Sequence, residues 1–154
     1  MISAISTNYS GRRVDLSLFP RLLLPNAPVE MEVSRLPMSI AGPAKAAQGF
    51  VKSLLTAQGE IPGDPTAGTN FFARISNSSI RYPSDMEHLF LIESSKAVDA
   101  WNESSAGSRP LDEQINRVAL VGLEIGIQGV SISIELFTRA GESTTFLLPV
   151  NWSK

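Results

Sequence analysis

The last third of the chain alternates apolar and polar side chains with a period of two, three times in succession. In "RVALVGLEIGIQG", Val121, Leu123, Ile125 and Ile127 fall on one face, and Gly122, Glu124, Gly126 and Gln128 on the other. In "VSISIELF", Val130, Ile132, Ile134 and Leu136 point inward while Ser131, Ser133 and Glu135 point outward. "TTFLLPV" repeats the pattern with Phe146, Leu148 and Val150 on one face and Thr145, Leu147 and Pro149 on the other. This is the period of a strand with one buried face, and a helix cannot satisfy it. Gly129 and the "RAGES" stretch punctuate the runs as hairpin turns do. The spacing predicts a three-stranded antiparallel meander. Pro149 cannot donate to a ladder, so its strand belongs at an edge.

Upstream the period changes to that of a helix. Ala47, Phe50, Val51, Leu54 and Leu55 form one stripe, and Gly59 follows the last apolar turn as a left-handed terminator would. Pro62 and Pro65 then prevent a restart. In "YPSDMEHLF", Ser84 and Glu87 have the spacing of a capping box, and Asp85 adds negative charge to the first turn. Met86, Leu89, Phe90, Ala97 and Trp101 share a face of this second helix, with a bend or break expected at Glu93-Ser94-Ser95-Lys96. Gly107 and Pro110 end it.

Residues 1 to 43 differ from the rest. Prolines at 20, 25, 28, 37 and 43 exclude a long helix or a central strand, yet "LSLFPRLLLP" and "VEMEV" are rich in large apolar residues. An irregular apolar segment needs a surface to lie on. We therefore expect residues 1–43 to form an extended N-terminal arm that binds its own domain or a neighbour, or equally a loop-rich start of the same domain. One α+β domain over 44–154 follows, with two main helices and the C-terminal meander. A chain of 154 residues fits that single domain. The opening residues lack a basic start followed by an apolar stretch, so no leader is expected.

Composition removes much chemistry. With no cysteine and one histidine, His88, the chain cannot build a disulfide framework, a cysteine nucleophile or a His-rich metal site. A formal charge of -2 supplies no field for nucleic acid, and no apolar run approaches the length of a membrane span. No cofactor and no metal are expected. His88, early in the second helix, reads as a surface or boundary residue, and Trp101 as core or interface.

One stretch leaves two functions open. In "LLTAQGEIPGDPTAGTN", Glu60 and Asp64 stand four residues apart around two prolines. Paired carboxylates are what glycoside hydrolysis needs, provided one has a raised pKa in an apolar cleft. The alternative is that both acids cap neighbouring amides of a stiff loop, which is what acids in turns commonly do. No aromatic-lined groove for a sugar is evident, since the two Trp and two Tyr are scattered. The sheet offers a different activity. An edge strand can accept a strand from another chain, unless charge or the arm covers it.

The order of these features resembles the baseplate wedge and sheath-initiator family of contractile phage tails, often labelled "lysozyme-related". Leu54, Leu55, Thr56, Gly59, Glu60, Pro62, Asp64, Pro65 and Gly68 follow that family's helix-exit motif, over a resemblance spanning roughly 44–150. Ala67 stands where an aromatic is usual, and "SRPLDEQINRV" replaces a Glu-Pro-Arg tripeptide, with Glu113 and Arg117 as the candidates to supply its charges. The resemblance implies a non-enzymatic virion protein of the tail baseplate, assembled in the host cytoplasm. Its implied partners are the tail sheath protein, baseplate wedge proteins, a tail tube or hub, and further copies in a ring of six-fold type. The loop residues Gly59, Glu60, Pro62, Asp64, Pro65 and Gly68, with Arg109, Glu113 and Arg117, would contact wedge or neighbour. Strands around 130–137 and 144–150, with Ser131, Ser133, Glu135, Thr145, Leu147 and Pro149, would carry strand addition. A peptidoglycan hydrolase using Glu60 and Asp64, or a tail-tube or neck adaptor, are the rival expectations.

Overall fold

The three alternating runs become strands β3 (Ile115–Ile125), β4 (Gly129–Thr138) and β5 (Ser143–Asn151), an antiparallel sheet in the order β3-β4-β5. The computed structural model describes residues 15, 16, 18, 39–77, 80–104 and 108–151, so most of the arm expected over 1–43 lies outside the described residues. β4 is central, with Ile132 opposite Leu123 on one side and Leu148 on the other. Val130, Ile132, Ile134 and Leu136 are buried, as are Phe146, Leu148 and Val150, so both runs face the core as their alternation predicts.

β3 departs from simple alternation. Its pairing slips between Ile115 and Arg117 and again between Leu120 and Gly122, which leaves Asn116 and Val121 as the extra residues of two bulges. An added residue moves the following side chains to the opposite phase. Val121, expected to share a face with Leu123, is therefore 52% exposed, while Val118, Leu120 and Leu123 pack against the core. Ile127 sits past the end of the strand, in the turn, 99% exposed.

Three helices cover the inner face of the sheet where two were expected. α1 (Pro43–Leu55) buries Ala46, Ala47, Phe50, Val51 and Leu54, and Pro43 occupies its first turn, where a missing N–H costs nothing. It ends at Thr56, three residues before Gly59. α2 (Phe71–Ser76) is six residues long and buries Phe71 and Ile75, too short for a helical period to stand out in sequence. α3 (Pro83–Glu103) is one continuous helix through Glu93–Lys96. The polar interruption is internal. Glu93 is buried, accepts the Asn70 N–H at 2.9 Å and holds Lys96 at 3.0 and 3.2 Å. The start of α3 is capped by Asp85, not by Ser84: its Oδ2 accepts the Arg81 and Tyr82 amides at 3.1 and 3.0 Å.

One cluster joins all these elements. Phe50 meets Phe146 edge-on with ring centroids 6.4 Å apart, tying α1 to β5, and Phe71 meets Phe90 at 6.3 Å, tying α2 to α3. Two short described pieces before α1 pack on the domain too. β1 (Asp15–Leu16) pairs with β2 (Ser39–Ile40), and Ile40 and Ala41 are buried. The buried Gln48 amide donates to the Leu16 carbonyl at 3.0 Å and accepts the Leu18 N–H at 2.7 Å, holding that backbone as a neighbouring strand would. No helix among the described residues is long and apolar enough to cross a membrane.

Candidate functional site

Three surfaces carry the residues singled out by the sequence: the loop after α1, the segment before β3, and the sheet. The loop 56–69 closes on itself. Thr69 N–H donates to Thr56 C=O at 2.8 Å, Gln58 N–H to Thr69 C=O at 3.1 Å and Gly59 N–H to Ala67 C=O at 3.0 Å. Gly59, Gly63 and Gly68 have positive φ. Gly68 is irreplaceable on two counts, since at φ +98 a Cβ would also stand 2.5 Å from the Ala57 carbonyl oxygen.

Both loop acids turn to the loop's own backbone. Glu60 Oε2 accepts the Ala57 N–H at 3.4 Å. Asp64 Oδ1 accepts the Thr66 hydroxyl at 2.8 Å and the amides of Thr66 and Ala67 at 3.1 Å each. The Thr66 hydroxyl and amide, with the Ala67 amide, hold the Asp64 pKa below its ordinary 3.8. A general acid needs the opposite shift, and both carboxylates are exposed. Behind the loop, Ala67 and Gly68 face a hollow of about 240 Å³ against Gly49 and Trp101, which neither acid lines.

The segment before β3 is bound inward. Glu113 is buried, with Lys45 Nζ at 3.0 Å and the Gly42 amide at 3.2 Å, so its charge fastens the start of α1. Arg109 lies over the Trp101 ring, 3.5 Å from its centroid, and donates to the Trp101 carbonyl at 2.6 Å and to Ser104 Oγ at 3.2 Å. It thereby satisfies backbone at the C-terminal end of α3. Burial lowers the Arg109 pKa against the raising effect of Glu113. Arg117 is the exposed member, with its guanidinium 3.8 Å above the Phe137 ring on the outer face of the sheet.

The sheet divides the remaining residues. β4 lies between β3 and β5, so its backbone is already paired on both sides and the strand 130–137 cannot accept another. Ser131, Ser133 and Glu135 offer a partner only their side chains, on the face away from the helices. β5 is an edge. Thr138 N–H donates to Glu142 C=O at 2.9 Å, which fixes the alternation along the hairpin. By that count Thr144, Phe146, Leu148 and Val150 bond to β4, and the backbones of Thr145, Leu147 and Pro149 point away from it. Pro149 therefore stands where no ladder donor is lost. The same count from the Gly126 N–H to Gly129 C=O bond, 2.8 Å, turns Ile125, Leu123, Leu120 and Val118 outward on β3. Its first such residue, Ile115, is met by the Asn102 side chain, which donates to its C=O at 2.9 Å and accepts its N–H at 3.0 Å. The bulges, the closing role of Asn102 and the inward turn of Glu113 depend on contacts that composition and period do not carry.

His88 is exposed beside Arg74, Asn77, Ser84 and Asp85 in an open hollow. Among the described residues no three His, Cys, Asp or Glu side chains come together as metal ligands.

No protein family and no curated protein matches this sequence. A crystal structure from Geobacter sulfurreducens, described as that of a "putative tail lysozyme", has the same fold. It superposes with a TM-score of 0.51 at 18% identity, over 76% of this chain and 97% of that one. The two chains are alike in fold.

Proposed function

We propose that this chain is a structural protein of a contractile-tail baseplate that starts the sheath by accepting a strand at the free edge of β5. The observation that carries the proposal is the outward backbone of Thr145, Leu147 and Pro149 on a strand whose other edge is fully paired. Such an edge gives affinity through main-chain hydrogen bonds and register through alternate side chains. The fold shared with a chain described as a tail lysozyme supports placing the activity in a tail. In this reading the loop 59–68 and the exposed Arg117 face wedge proteins, and several copies sit around the tube. Hydrolysis by Glu60 and Asp64 draws no support from their geometry, because the hydrogen bonds that define the turn occupy Asp64 and lower its pKa.

Deleting β5 would be a poor test, since Phe146, Leu148 and Val150 are core residues. Leu147→Pro is cleaner. It removes one outward donor at a position equivalent to Pro149 and leaves the ladder to β4 whole. Phage carrying Leu147→Pro should make complete baseplates and bare tubes in electron micrographs, while the purified variant keeps the wild-type circular dichroism. Normal sheathed tails from this variant would overturn the proposal.

A further inference from the structure

The second open edge, on β3, has a different character from that of β5. Beyond Asn102 its outward backbone runs from Val118 to Ile125 beside a groove of about 440 Å³, walled by Phe90 and Leu91 of α3 and floored by Leu120 and Leu123. Leu91 is 70% exposed at the rim, and Glu87 stands further along it. An unpaired backbone beside an apolar trough is a receptor for a strand with apolar residues at alternate positions.

This chain contains such a segment. In residues 29–35, Val29, Met31, Val33 and Arg35 share one phase, and Glu30, Glu32 and Ser34 the other. Charge sets its direction. Asn102 sits at Ile115, and a helical rise of 1.5 Å per residue puts Leu91 about 16 Å and Glu87 about 22 Å further on. Along a strand those distances correspond to about Leu120 and about Leu123. Laid parallel to β3, the segment places Val33 over Leu91 and Arg35 beside Glu87, while Glu30 faces Arg117 on the outer side. The antiparallel arrangement separates both opposite-charge pairs.

We infer that the β3 groove binds Val29–Arg35 of a second copy of this chain as a parallel strand. A second copy is required by reach. Arg35 would lie at the Glu124 end of β3, seven strand steps, or about 24 Å, from Ile115 when measured on β4. Gly42 is held at the Ile115 end by its N–H bond to Glu113, and residues 36–42 span about that distance only when pulled straight. Ser39 and Ile40 are already paired to β1, and Ile40 and Ala41 are buried in their own domain. The contact is heterologous, so each copy gives a strand and takes one. It is independent of the role proposed for β5.

Sedimentation of the full-length chain tests this directly. The wild type forms species heavier than one chain as concentration rises, and Leu91→Lys and Met31→Asp each reduce the mass to that of one chain. Mixed in equal amounts, the two variants form a dimer and nothing larger, because one retains the strand and the other the groove. The chain has no cysteine, so a V33C chain and an L120C chain provide a second measurement. Under oxidation the mixture links into dimers, with both variants folded by circular dichroism. A wild type monomeric throughout, association that persists in either variant, or a mixture that stays monomeric would each overturn the inference. So would a disulfide that forms within a single chain carrying both cysteines.

Discussion

Gly49 sits inside α1, where glycine costs about 1 kcal/mol relative to alanine. Its reason lies on another helix. A Cβ at Gly49 would come within 2.0 Å of the Trp101 ring, and that ring is held in place by Arg109 over its face and through its Nε1–H to the Glu113 carbonyl at 2.8 Å. Trp101 cannot give way without losing both contacts. Gly49→Ala, which in an unencumbered helix would stabilise, should here destabilise by about 1–3 kcal/mol, the usual cost of overpacking. Urea unfolding followed by Trp fluorescence checks the sign, and a gain in stability would show that the ring moves freely. Sequence places Trp101 on a helix face and gives no reason for a glycine at 49 inside the other helix. Their contact, and the similar inward commitment of Glu113 to Lys45, join segments far apart in the chain, and no local period encodes them.

Among elements, the loop 56–69 gives the clearest case of chemistry that was legible in kind but not in use. Proline and glycine spacing revealed a stiff helix exit, while the two acids remained open between catalysis and capping. Asp64 accepts three hydrogen bonds from Thr66 and Ala67, the arrangement of an acid that caps its own loop. These bonds also set a pH dependence. A carboxylate whose folded pKa lies below its unfolded value adds order that is present above the ordinary 3.8 and is lost as pH falls through the lower folded value. The Thr66 and Ala67 amide resonances should therefore shift together on acidification with a midpoint below 3.8, and Asp64→Asn should abolish that titration. A midpoint at or above the ordinary value would remove the capping role. The elements that escaped sequence reading did so for similar local reasons. α2 offers only Phe71 and Ile75 as a period, and the bulge at Val121 adds one residue to a strand whose alternation otherwise continues on both sides.

At the scale of the whole molecule, β5 has two roles that must coexist. Its inner side chains are core, and its outer backbone is the proposed docking edge. The sheet could serve a partner only if strand and helices form one cooperative unit, so that the edge is presented on a fixed surface. The cluster supports this, because Phe146 of β5 packs on Phe50 of α1, and residues of α1 and α3 share one buried apolar cluster with those of β4 and β5. Phe146→Ala should therefore cost about 3–5 kcal/mol, the usual loss for a fully buried phenylalanine. The helical signal at 222 nm and the amide resonances of β5 should then be lost at one common, lowered urea midpoint. Separate midpoints for helices and sheet would mean that β5 frays from a surviving helical core. In that case its edge would be a locally mobile strand, and strand addition there would have to be coupled to folding. A single shifted midpoint instead makes the edge as rigid as the core beneath it, and Leu147→Pro then tests docking alone.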